Sequence, residues 1–159
     1  MKLKCFVLFF LSVSIASCAR GLIETAEQAK LGSISIGMVD NSDFKYLDGC
    51  GCGFYPSDRP PHIDRADSQK YFLVATGDKG WMNIDGEIVE LLRTKDETRY
   101  QGKVGEEFKQ LYQSDDTAVE VTCKATGFGD THAVFCDAII TVKKDNQKKV
   151  IECAGDCGC

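Results

Sequence analysis

From residue 44 onward the chain breaks into short apolar or alternating runs separated by turn residues, and no stretch has helical length and period. Phe44 to Leu47 precedes Gly49. Tyr71 to Thr76 ends at Gly77-Asp78-Lys79-Gly80, and Trp81 to Ile84 meets Asp85-Gly86, a dipeptide that suits the left-handed corners of a two-residue hairpin. Glu87 to Arg93, Thr98 to Lys103, Glu106 to Gln113, Ala118 to Ala125, Thr131 to Lys143 and Lys148 to Cys153 follow as further strands. This pattern predicts an all-β domain built as a single antiparallel meander. A small eight-stranded barrel is favoured over a two-layer sandwich, because closure removes exposed edges.

One strand pair is specified in more detail. Val119, Val121, Cys123 and Ala125 alternate with Glu120, Thr122 and Lys124, while Val134, Cys136, Ala138, Ile140 and Val142 share one face of the next strand. Setting Cys123 opposite Cys136 puts Val121 against Ala138 and Val119 against Ile140. A Cys123–Cys136 bridge is the expectation from that register.

The first eighteen residues differ from the rest. Lys2 and Lys4 precede an apolar run from Phe6 to Ile15, followed by Ile15-Ala16-Ser17-Cys18. A run of about ten residues is too short for a hydrocarbon core roughly 30 Å thick, so it reads as an export signal and not as a membrane span. The segment resembles a bacterial lipoprotein signal. That resemblance implies cleavage before Cys18, lipid on its sulfur, and, with Ala19 in place of an inner-membrane retention aspartate, an outer-membrane lipoprotein facing the periplasm or the surface. The expected organisation is a signal peptide over 1–17, a lipid-anchored tether over 18–43 and a β-domain with terminal cysteine clusters over 44–159. A flexible tether of about 25 residues spans roughly 25 to 30 Å. Trp81-x-x-x-Asp85-Gly86, followed by Arg99-Tyr100, is also similar to small lipid-anchored β-barrels that inhibit animal-type lysozyme in the periplasm. Asp96-Glu97-Thr98 stands where those inhibitors carry a Ser-Gly element, so no functional residue is carried over.

Export changes the reading of the nine cysteines. With Cys5 and Cys18 committed to the N-terminal segment, Cys50, Cys52, Cys123, Cys136, Cys153, Cys157 and Cys159 remain, an odd number in a disulfide-forming compartment. In a closed barrel the first and last strands are neighbours, so Cys50 and Cys52 are expected near Cys153, Cys157 and Cys159, joined by one or two covalent clips. The alternative reading of the same five residues is a soft-metal site for copper or zinc, or a thiol-redox site.

The remaining chemistry is sparse. The chain carries a net charge of −5 and becomes more acidic when Lys2 and Lys4 leave, which disfavours nucleic acid. Gly49-Cys50-Gly51-Cys52-Gly53 lacks both the spacing and the following helix of a phosphate loop, which disfavours nucleotides. With His62 and His132 the sole histidines, no nucleophile-base constellation stands out and no catalytic residue is assigned. The expectation is a non-enzymatic envelope module without a cofactor, held to the membrane by lipid and binding a protein, glycan or envelope component. The loop from Tyr55 to Ser68, with Arg59, His62 and Asp64, is the expected recognition element, since loops on a rigid scaffold carry binding.

Overall fold

Alternation decides which side of each strand turns inward, and the computed structural model closes those inward sides on one another. It describes residues 33–40, 50–58, 70–94, 100–129 and 133–158. The elements are β1 (Ile36–Gly37), β2 (Val39–Asp40), β3 (Gly51–Tyr55), β4 (Lys70–Tyr71), β5 (Leu73–Thr76), β6 (Lys79–Ile84), β7 (Glu87–Arg93), β8 (Glu107–Gln113), β9 (Thr117–Phe128), β10 (Val134–Lys144) and β11 (Gln147–Gly158). Eight of them, β3 and β5 through β11, form a closed antiparallel ring in chain order, with β11 returning to β3 and β7 pairing with both β6 and β8. The expected barrel meander is therefore the observed fold. β1 lies outside the ring, against the end of β6 that β5 does not reach.

The hairpins show why the chain turns where it does. Asp85 and Gly86 both have positive φ, as the sequence led one to expect. Asp145 and Asn146 do the same between β10 and β11, because Asn and Asp tolerate the left-handed region better than other side chains. At the other expected turn the bend is confined to Gly77-Asp78, and Lys79 and Gly80 already belong to β6.

The interior is filled with side chains. Phe54, Leu73, Met82, Ile84, Leu91, Val121, Ile140 and Val142 are almost wholly buried in one cluster. Burial of each aliphatic side chain stabilises the fold by about 1.5–3 kcal/mol. The outer face of the long strands carries Glu107, Lys109, Glu120, Lys124, Asp137 and Lys143. Charges outside and apolar groups inside are the reverse of a lipid-facing barrel.

Four expectations need correction or restriction. Residues 33–40, read as tether, are part of the β-structure: Ile34 and Val39 are buried, β1 pairs with β6, and β2 pairs with β4. That two-stranded patch lies over the outer wall, where Val39, Tyr55, Tyr71 and Val74 make a second small core. β3 was not anticipated as a strand, because Gly-Cys-Gly carries little β propensity and its conformation comes from pairing with β5 and β11. Residues 100–103, expected within a strand, are not one. Phe44 to Leu47 and His132 lie outside the described residues.

Candidate functional site

The inward positions of β3, β9, β10 and β11 bring sulfur into one part of the core. Cys52 and Cys157 face each other directly in the β3–β11 ladder, with Cα atoms 4.1 Å apart, and form a disulfide between residues 105 apart in sequence. Facing strands place the two Cβ atoms within bonding reach. This clip joins the first ring strand to the last, and constraining a loop of this size stabilises the fold by at most about 4.7 kcal/mol in the chain-entropy picture. Cys50 is exposed and also disulfide-bonded.

A polar group breaks the apolar file of β8. Gln110, buried between Phe108 and Tyr112, donates from Nε2 to Cys52 Sγ at 3.1 Å and lies 3.8 Å from Cys157 Sγ. Its Oε1 accepts from the Tyr112 hydroxyl at 2.7 Å. Burying an amide in an apolar core is costly unless both ends are bonded, and here each end has a partner. Sequence reasoning missed Gln110. Its signal is the lone polar residue at an inward position of an otherwise alternating strand.

Cys123, Cys136 and Cys153 are buried thiols on three neighbouring strands. Ala138 pairs with Cys123 on one side and with Cys153 on the other, while Cys136 pairs with Ala125 and Gly155. A Cβ built on Gly155 would stand 2.6 Å from the Phe54 ring and 3.0 Å from Cys136 Sγ, so the missing side chain makes room for both. A hydrogen bond with Cys136, followed by burial, holds the Cys123 thiol far above the ordinary thiol range. Burial, with Cys136 beside it, pushes Cys153 up to about 12. Both stay protonated at neutral pH.

The expected Cys123–Cys136 bridge is not formed. The register is displaced by two residues, with Cys123 opposite Ala138, Val121 opposite Ile140 and Val119 opposite Val142. A two-residue slip keeps every side chain on its own face, so the alternation that located the strands could not choose between the two registers. Cys50, Cys52 and Cys157 are disulfide-bonded and offer no thiolate, and among the described residues no three His, Cys, Asp or Glu side chains are grouped to hold an ion. Cys153 remains as a thiol, and Cys159 lies outside the described residues.

Of the expected recognition loop, Tyr55 to Asp58 is described. Tyr55 is buried in the outer core, 6.2 Å from the Tyr71 ring in an edge-on arrangement. Arg59, His62 and Asp64 lie outside the described residues, as does Cys18. A cleft of about 550 Å³ that the sequence did not suggest opens at one end of the barrel, between the β8–β9 and β10–β11 turns. Lys144 on its wall bonds Asp85 at the β6–β7 tip at 3.1 Å and approaches Asp116 at 3.9 Å. The Ser35 backbone N–H and then Lys144 hold the Asp85 carboxyl below the usual range, so the hairpin tip is fastened across that end by charge-assisted bonds. No protein-family profile, curated protein or solved structure matches the chain.

Proposed function

We propose that the chain is an exported, lipid-anchored β-barrel that binds a protein, glycan or other envelope component through its outer surface, without catalysing a reaction on it. The observation that carries this reading is the packed interior. Phe54, Leu73, Met82, Leu91 and Ile140 occupy the space that a ligand-carrying barrel leaves open, which shifts recognition to the mouths and loops. The Cys52–Cys157 disulfide is in keeping with an oxidising compartment, and the signal-like segment ending at Cys18 supplies the route to it. The cleft between the β8–β9 and β10–β11 turns is a concave surface at one end of the barrel that suits such a partner.

Two measurements test this. Mass spectrometry of the mature protein is expected to show an N-terminal Cys18 bearing acyl mass, and a mature N-terminus at Arg20 sinks the anchoring. Photo-crosslinking residues placed at Asp115 or Asp145, on the rim of the cleft, are expected to give one discrete adduct in intact cells. Failure at both, with adducts from probes on the β7 outer face, moves the binding surface elsewhere.

A further inference from the structure

We propose that the cleft at the β10–β11 turn takes a phosphorylated saccharide, with the phosphate bridged between the Lys143 and Lys148 ammonium groups. The two lysines stand directly opposite each other in the β10–β11 ladder and both are exposed. Opposed residues of a ladder have Cβ atoms about 4.5–5.5 Å apart, so two flexible four-carbon stems can converge on one oxyanion. Two other outward lysines have carboxylate partners: Lys79 bonds Glu90 at 2.6 Å, and Lys109 bonds Glu120 at 2.9 Å. Lys143 and Lys148 make no ion pair among the described residues. Like charges directly opposite destabilise a ladder, and a local rule broken without compensation inside the fold points to a partner outside it.

The acids at this end of the barrel are sorted away from the pair. Lys144 lies 3.1 Å from Asp85 and 3.9 Å from Asp116, and Asp145 adds to the negative field around it. Asp116 also accepts from the Thr117 hydroxyl at 2.8 Å. Glu120 on the neighbouring strand is held by Lys109, and Lys143 is the weakest of the influences on its carboxyl. Two unneutralised ammonium groups match a dianion. A phosphate monoester carries about −1.5 to −2 at neutral pH, whereas one carboxylate carries a single charge. The rest of the cleft suits hydroxyl groups: Gln113, Asn146 and Gln147 offer amides, Asp115 stands on the β8–β9 side, and no aromatic or large aliphatic residue lines it. Asp115 accepts from a sugar hydroxyl and repels a second phosphate. This inference rests on the outer-surface reading above and names the chemistry of the partner.

The test is an NMR titration of the purified full-length protein with glucose 1-phosphate, glucose and inorganic phosphate, read at the backbone amides of Lys143 and Lys148. Glucose 1-phosphate is expected to shift both amides with a Kd at least ~10-fold below that of either other probe, the size of one hydrogen bond to a charged group. Lys148→Glu should weaken that binding by ~10-fold or more and unfold at or above the wild-type Tm, because it replaces a repulsion by an attraction. Amides unmoved by glucose 1-phosphate overturn the site. Equal affinity for glucose overturns the phosphate bridge, and equal affinity for inorganic phosphate overturns saccharide recognition. Unchanged affinity in a folded Lys148→Glu variant overturns the lysine pair. A discrete crosslinked adduct in cells without glucose 1-phosphate binding sinks this inference alone and leaves the outer-surface reading standing.

Discussion

β9 and β10 stay paired from Val134 to Lys144, whereas β7 and β8 meet, among the described residues, at Leu92–Gln113 and Arg93–Tyr112. One backbone bond, from the Thr94 amide to the Leu111 carbonyl at 2.8 Å, extends the second junction. The long pair and its continuation into β11 form a wall in which every inward residue is small or β-branched and three of them are thiols. The β7–β8 junction closes the same ring with far less backbone, and its outer face carries the exposed Ile88 and Leu92. Closing a meander does not demand equal pairing at every seam. The wall supplies the cooperative core, and the seam has the features of a low-stability opening unit.

Three outcomes would sharpen or break that contrast. The largest belongs to the wall: Ile140→Ala, at a wholly buried position between Val121 and Ile151, is expected to lower stability in urea unfolding by about 2–5 kcal/mol through lost transfer energy and a residual cavity. A loss below about 1 kcal/mol would mean that the wall is not the main cooperative unit.

Next in size is an alkaline effect confined to the wall. The folded-state pKa of Cys153 lies at about 12, above its unfolded value, so its contribution is fully present below the ordinary thiol pKa and is lost as pH rises toward 12. Between pH 8.5 and 10 this thiol should cost on the order of 1–2 kcal/mol, and Cys153→Ala should flatten the slope, measured against wild type at both pH values. An unchanged slope in the variant would show that the Cys153 thiol is not held neutral by the wall. The smallest effect is on the seam: Leu92→Ala, at a residue 52% exposed, should change stability by less than about 0.5 kcal/mol. A larger loss would show that the outer apolar face of β7 is covered in solution.

The same contrast explains what could be read in advance. Strands β6 to β10 were legible because each buries one face and alternates accordingly, and Asp85-Gly86 was legible because few other dipeptides adopt two left-handed residues. The register of β9 on β10 was not, since slips of two residues preserve the pattern and the local irregularity at Phe135/Cys136 leaves no mark on it. β3 carries glycine where alternation needs a side chain. Gly51 can pack only as glycine, since a Cβ there would stand 2.4 Å from the Ala75 carbonyl oxygen. The partners of Gln110 were hidden for a different reason, because they come from β3 and β11, fifty-eight and forty-seven residues away.

The position of the Cys52–Cys157 clip also has a mechanical meaning. Because it links the first ring strand to the last, a pull applied at Cys52 and at Cys157 passes across their sulfur–sulfur bond, and the chain between them bears none of the load. The barrel would hang as a shielded bead, inextensible until that bond is exchanged or reduced. Residues 33–40, outside the loop, would be the first to peel away under tension.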